Sequence, residues 1–328
     1  MLRKIIGKLK KKSRNTIKSP TDGLGKIKLR KSLDENIKIF RKILGESSDV
    51  IIRRFKVGGI RAAVLYLEGM VDGNVINDFI LKPLLLEVHQ AKPNKRLAPK
   101  ELFLKIEENS VPIGEISEAE DFDKLVSLFL TGVSAVLVDG YPGALMLNTK
   151  GWEKRNITEP DIEKVIRGSR DGFTETLRVN TTLIRRRIRD PNLRIITIQI
   201  GRRSKTDVTL VYIQGIASPD LVDEVKKRLE RIDIDVVMDS AYISHFIEDS
   251  WWSIFPTVQE TERPDKVAAG IAEGRVAVLV DNSPFALIVP ANINMFMVSP
   301  EDAYLRWSAG SFVRLIRFGA NFIALLLP

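Results

Sequence analysis

Two kinds of pattern alternate along the chain: short, strongly apolar runs, and longer stretches in which apolar residues recur at helical spacing. The runs at 61–67, 135–138, 144–147, 193–200 and 207–214 read as strands. Several helices announce their starts. Ser32 with Glu35 forms a capping box, in which the hydroxyl and the carboxylate each satisfy a free amide of the first turn. Ile37, Phe40, Ile43 and Leu44 then share one face, and Gly45 closes the helix. Further helices are expected over 74–88, from a second box at Ser117 and Glu120 to about Leu130, and from Ser218 with Pro219 to about Glu230. Residues 151–190 read as mostly helical, with one start at Thr158 and Pro160 and another near Thr174. The prolines of 91–100 mark a loop.

The pattern comes round twice. VLYLEG at 64–69 is matched by LVYIQG at 210–215, with Tyr66 and Tyr212 aligned at an offset of 146. AVLVDGYPGAL at 135–145 is matched by AVLVDNSPFAL at 277–287, at an offset of 142. Two matches in the same order and at nearly the same spacing imply two copies of one unit: strand, helix, helix, strand, turn, strand. The expected fold class is therefore α/β, with two similar α/β subdomains from an internal duplication, joined by a helical linker. The expected boundaries are a basic tail over 1–31, a first subdomain over 32–150, a linker over 151–193, a second subdomain over 194–298 and a closing helical segment over 299–328. Asp139 and Asp281 each end an apolar strand and open a turn that contains Pro142 or Pro284. An aspartate there accepts backbone amides in an Asx-turn, so all four residues read as structural rather than catalytic.

Charge changes the picture at one end. The chain is formally +9, yet residues 1–31 hold 12 Lys and Arg against Asp22 alone, so the remaining body is close to neutral. In the tail, Leu2, Ile5, Ile6 and Leu9 form an apolar stripe on a lysine-rich helix, the pattern of a segment lying in an anionic interface. No long apolar core follows to make it a signal peptide. Such a tail attracts polyanions, whether an anionic leaflet or nucleic acid. The body itself carries no aromatic platform among its arginines and no glycine-rich phosphate cradle. With no cysteine and two distant histidines, His89 and His245, no metal site, no cofactor and no catalytic residue is expected.

The strongest candidate for binding is the stretch RDGFTETLRVNTTLIRRRIRD at 170–190. On a helix, Leu177, Thr181, Ile184 and Ile188 fall on one stripe, with Arg178, Arg185 and Arg189 stacked along its border. Border arginines bury their stems and leave their forks for carboxylates or phosphates. The ridge is read as a docking surface for an acidic partner or a neighbouring domain, and Arg202 and Arg203 of the 201–205 turn as further partner contacts. The alternatives are direct phosphate contact and a solvated face neutralised locally by Glu175 and Asp190.

The segments Gly168-Ser-Arg-Asp-Gly-Phe173, Leu-Arg-Val-Asn180, Leu-Ile-Arg-Arg-Arg187 and Gly201-Arg-Arg-Ser-Lys205 resemble the signature of the A subunits of GerA-type spore germinant receptors. Phe246-Ile-Glu-Asp-Ser250, Phe255-Pro-Thr257, Thr261-Glu-Arg-Pro-Asp-Lys-Val-Ala268, Gly274 through Asp281 and Ser299-Pro-Glu-Asp302 continue it in order. The chain departs from the family pattern at Ser169 and Ala303 and around Trp251 and Ile254; the pair Trp251-Trp252 is read as a packed lid. The resemblance implies two soluble α/β subdomains followed by membrane helices. It implies no enzyme, but a receptor subunit in the inner spore membrane that works with B and C subunits in nutrient-triggered germination. On that reading, FGANFIALLLP at 318–328 is the start of a membrane helix, preceded by Arg306, Arg314 and Arg317. Arginines before a span favour the cytoplasmic side, which places the body in the spore core, with the tail and the last helix on anionic lipid and a homo-oligomer among the expected partners. A small-molecule binder with a cleft between the two subdomains is the alternative.

Overall fold

The computed structural model describes residues 27–82, 98–109, 115–152, 160, 163, 168–249, 256–296 and 307–326. The first half starts with helix α1 (Leu33–Leu44) and hairpin β1 (Val50–Val57) and β2 (Ile60–Leu67). The short helix α2 (Gly73–Ile76) runs into a π-helical turn at Asn77–Leu81, and α3 (Pro99–Asn109), β3 (Ile116–Ala119), α4 (Phe122–Phe129), β4 (Ser134–Val138) and β5 (Ala144–Leu147) complete it. The strands form one antiparallel sheet in the order β1-β2-β4-β5-β3.

The second half opens with α5 (Leu177–Arg187), β6 (Leu193–Ile200), β7 (Thr206–Ile213), α6 (Pro219–Glu230) and α7 (Ser240–Ile247). It continues through β8 (Gln259–Thr261), α8 (Pro264–Ala272), β9 (Val276–Val280) and β10 (Ala286–Val289) to the short helix α9 (Ile293–Phe296). Its antiparallel sheet has the order β6-β7-β9-β10-β8, strand for strand the order of the first. A final helix, α10, spans Trp307–Leu326.

Each sheet is covered by helices on both faces, which is why its middle strand is apolar over 135–138 in the first half and 276–280 in the second. In the first half, Leu65, Leu67, Leu137 and Met146 meet α1 and α4 on one side. Val64, Val136, Val138 and Leu145 meet Ile76, Leu102 and Phe103 on the other. Phe40 of α1 and Phe129 of α4 seal the first layer edge to face, with centroids 4.9 Å apart. In the second half, α5 and α8 cover Ile195, Val211, Ala277 and Leu279, while α6 and α7 cover Val208, Leu210, Val278 and Leu287.

The leading helix of each half is held in the same way. The amide of Leu33, first residue of α1, donates to Asp139 Oδ1 at 3.0 Å, and the amide of Leu177, first residue of α5, donates to Asp281 Oδ1 at 3.1 Å. The buried Asn36 clasps the backbone of Arg30 through both ends of its amide, and the buried Asn180 clasps Thr174 likewise. The strand-end aspartates thus accept amides from a remote helix N-terminus, where a local Asx-turn was expected. The turns with Pro142 and Pro284 do follow them.

Other differences have local causes. Ser117 and Glu120 do not cap a helix: 116–119 is strand β3, and the helix that follows is capped by Asp121, whose carboxylate accepts the Lys124 amide at 2.8 Å. The loop expected over 91–100 ends in α3, which begins at Pro99. Strand β1 was not expected, because its charged Arg53, Arg54 and Lys56 hide the strand period. Residues 168–176 ahead of α5 are not helical, so α5 starts three residues later than Thr174. Among the described residues no helix is long and apolar enough to cross a membrane; α10 carries Arg314 and Arg317 between exposed Phe312, Leu315, Ile316 and Phe318. The tail stripe, the Thr158 start and Trp251-Trp252 lie outside the described residues.

Candidate functional site

Helix α5 is the element on which both halves meet. Its apolar side, Leu177, Leu183 and Ile184, belongs to the second core. Its other side faces the first half. Gly69, at the end of β2, has φ +82°, and a Cβ there would collide with the Thr182 hydroxyl; its absence lets the first half lie directly on α5.

Below this contact the chain between α1 and β1 crosses onto the second sheet. Ser47 and Ser48 run along the edge strand β6: the Ser48 amide donates to the Ile195 carbonyl at 2.7 Å, and the Ile195 amide donates to Ser47 Oγ at 3.2 Å. Asp49 follows and receives both ends of the Arg185 fork, Nε to Oδ2 at 2.9 Å and Nη2 to Oδ1 at 3.0 Å. Both side chains are almost completely buried, at 2% and 4% exposure, so the pair is desolvated and depends on its two parallel bonds. Arg194 of β6 reaches the other way. Its Nη1 donates to the carbonyls of Leu44 at 2.5 Å and Pro191 at 2.7 Å, and its Nε to Gln214 Oε1 at 2.8 Å. A cation is thereby seated at the C-terminal end of α1, where the helix dipole favours it. Burial lowers the Arg194 pKa, although the carbonyls around it still favour the charged form.

Beside the junction lie two adjoining clefts. One, of about 510 Å³, is lined by Asp72, Asn74, Trp152, Thr176, Arg178 and Arg186 among others. The next, of about 390 Å³, is lined by Met70, Lys150, Trp152, Asp171, Arg186, Arg187 and Arg189 among others. Arg186 lies over the Trp152 ring, 4.7 Å from its centroid, and forms part of the wall of both clefts. Arg187 is tied to Asp171 at 2.7 Å and to Ser169 at 2.9 Å. The arrangement offers cations, one carboxylate on each side and an aromatic face. Those are the groups that hold a small polar molecule bearing an anionic group.

The arginines singled out from the sequence part company here. Arg185 is not on a surface ridge: it is buried against Asp49, 136 positions away in the chain, and is unavailable to another protein. Arg178 lines the larger cleft and pairs with Glu68 of the first half at 2.8 Å, both half exposed. Arg189 is exposed and lies beyond the helix, which ends at Arg187 because Ile188 is extended. Arg202 holds Asp233 across the 201–205 turn at 2.5 Å, and Arg203 is exposed beside it. Asp49, Lys150, Trp152 and Arg194 were not foreseen. Arg194 left a signal, an arginine among the apolar residues that open its strand; Asp49 left none.

The Bacillus/Clostridium GerA spore germination protein family matches residues 38–328. The chain belongs to the GerA family. Among the relatives of this GerA protein, Spore germination protein KA of Bacillus subtilis (strain 168) is 40% identical over 300 residues, which is 90% of this chain and 54% of that protein. Spore germination protein GerLA of Bacillus cereus is 37% identical over 308 residues, 93% of this chain and 61% of that protein. The chain thus spans between half and two thirds of the length of these relatives. The crystal structure of the N-terminal domain of the A subunit of the Bacillus megaterium spore germinant receptor GerK3 is similar, with a TM-score of 0.64 and 38% identity. The likeness covers 81% of this GerA chain and 97% of that one.

Proposed function

We propose that this chain is the N-terminal part of a germinant-receptor A subunit: a platform that assembles with B and C subunits and takes part in signalling during nutrient-triggered spore germination. The observation that carries the reading is the similarity to the A-subunit domain of GerK3, nearly all of which is matched. The platform is two copies of one unit, each opened by its own helix, α1 or α5. The common strand order and the paired helix anchors support the duplication. In this reading α5 belongs to the second unit as well as linking it to the first. The platform sits on the inner spore membrane facing the core, with residues 1–31 and α10 directed to anionic lipid, and Arg189, Arg202 and Arg203 directed to acidic partners. It is not an enzyme. The test is co-purification: tagged chain expressed with B and C subunits retains them, and Arg203→Glu with Arg189→Glu reduces recovery while the fold survives. Full recovery from that variant removes the arginines from the assembly surface.

A second reading is favoured by the clefts between the halves: small-molecule binding at Arg178, Arg186 and Trp152. Amino acids then raise the thermal midpoint of the isolated chain, and Arg186→Ala abolishes the rise. A midpoint unmoved by a panel of amino acids and sugars at millimolar concentration sets this reading aside.

A further inference from the structure

Of two matching sheet edges in this molecule, one is covered and the other, among the described residues, is bare. On the covered one, Ser48 and Ser47 pair with Ile195 as described, and the Thr197 amide donates to Ser48 Oγ at 3.0 Å. Asp49 completes the contact on Arg185. The guest is therefore a Ser-Ser-Asp turn, closed by the Val50 amide on the Ser47 carbonyl at 3.2 Å and held by one backbone bond, two hydroxyls and one arginine of the leading helix.

The hairpin registers locate the same positions in the first half. Ile52 faces Leu65 as Ile195 faces Val211, and Arg54 faces Ala63 as Thr197 faces Thr209. The helix anchors locate the arginine. Arg41 follows the anchored Leu33 by eight residues, as Arg185 follows the anchored Leu177. Alternate residues of an edge strand turn their amides outward, so Ile52 and Arg54 offer theirs on the outside of β1. Among the described residues no backbone or side-chain group is hydrogen-bonded to that side, and Arg41 is exposed and makes no ion pair. Arg53, Arg54 and Lys56 are exposed along the same strand, and only Arg54 has a carboxylate near, Asp34 at 3.1 Å. Like charges oppose pairing of β1 with another β1 and favour an acidic guest.

We propose that the outer edge of β1, with Arg41 beside it, docks a turn of a different protein, in which small hydroxyl residues precede an aspartate or glutamate. The outward backbone groups of β1 take the turn's backbone and hydroxyls, and the acid on Arg41 fixes its position. The site lies apart from the clefts, so its test does not depend on what they bind.

The probe is a fluorescently labelled peptide Gly-Glu-Ser-Ser-Asp-Val-Ile, the chain's own 45–51, titrated with the 328-residue chain and followed by anisotropy. Binding is expected, weakened at least about tenfold by Arg41→Glu and by replacing the peptide's aspartate with lysine. Arg54→Pro removes one outward amide and is expected to weaken binding similarly, with the thermal midpoint of each variant reporting that the fold survives. No binding, or binding indifferent to Arg41→Glu, overturns the proposal. Binding seen only after removal of residues 1–26 assigns the edge to the chain's own leading segment and also overturns it. A concentration-dependent dimer in sedimentation, lost in Arg41→Glu, assigns it to a second copy, with the same consequence.

Discussion

At the scale of single residues, the same amino acid serves opposite ends depending on what reaches it. Arg185 and Arg189 lie one turn apart in sequence, yet one is buried on Asp49 and the other is exposed. Replacing Arg185 by alanine strands a buried carboxylate, and a loss of about 3–5 kcal/mol is expected in denaturant titration. Arg185→Met combined with Asp49→Leu removes both charges and is expected to recover most of that loss, since a desolvated pair and a packed apolar pair are close in free energy. Equal losses in the single and double variants would show that Asp49 is not the partner that matters. Asp139 makes a prediction in pH. The Leu33 amide, aided by Arg61, holds its carboxyl below the ordinary value against the opposing effect of burial. A carboxylate with a lowered pKa in the folded state stabilises the fold above its unfolded pKa of about 4 and loses that contribution as pH falls through the folded value. Asp139→Ala is therefore expected to cost about 1 kcal/mol at pH 7, and the gap to the unaltered protein should narrow below about pH 4. A gap that widens on acidification would contradict the assignment.

At the scale of elements, the ends of helices decide the architecture. Gly45 ends α1 with φ +67°, and a Cβ there would stand 2.5 Å from Arg194 Nε. Gly45→Ala is expected to cost about 1–3 kcal/mol, from the left-handed backbone and from displacing the arginine. In an Arg194→Ala background the second part vanishes, so the cost there should be smaller; an unchanged cost would leave backbone strain as the whole effect. Which elements were legible follows from the same physics. Central strands such as 135–138 and 276–280 are apolar throughout because helices cover both their faces, and α1 displays its cap and its stripe. Edge strands show less. β1 mixes charge into its period because one side meets solvent, and β3 and β8 are too short and polar to stand out. The helix border with its arginines was visible, but the depth of Arg185 was not, because its partner arrives from the opposite half of the chain. A cleft between the subdomains was the alternative reading, but its lining was equally hidden, since Trp152 and Lys150 come from the first half and Arg186 from the second.

At the scale of the whole molecule, the question is whether two units with separate cores behave as one. Each half has its own pair of hydrophobic layers, so each has the means to unfold alone. Against this stands a junction made of specific bonds: Ser47 and Ser48 on β6, Asp49 on Arg185, and Arg194 on the end of α1. When the first half unfolds, β6 loses its cover and Arg185 is left buried without its carboxylate, which destabilises the second half in turn. The intact chain is therefore expected to unfold in one calorimetric transition. Arg185→Ala with Arg194→Ala cuts the two buried cationic links while leaving the two cores untouched, and is expected to split the trace into two transitions. One half then melts near the original temperature and the other well below it. A split trace in the unaltered protein would mean that the junction positions the halves without coupling them. A single transition in the double variant would place the coupling in the contacts that remain, the close approach of Gly69 to Thr182 and the Arg178–Glu68 pair. The distinction bears on signalling, because a ligand in the clefts or a guest on β1 reaches the far half only through whichever of these contacts carries the coupling.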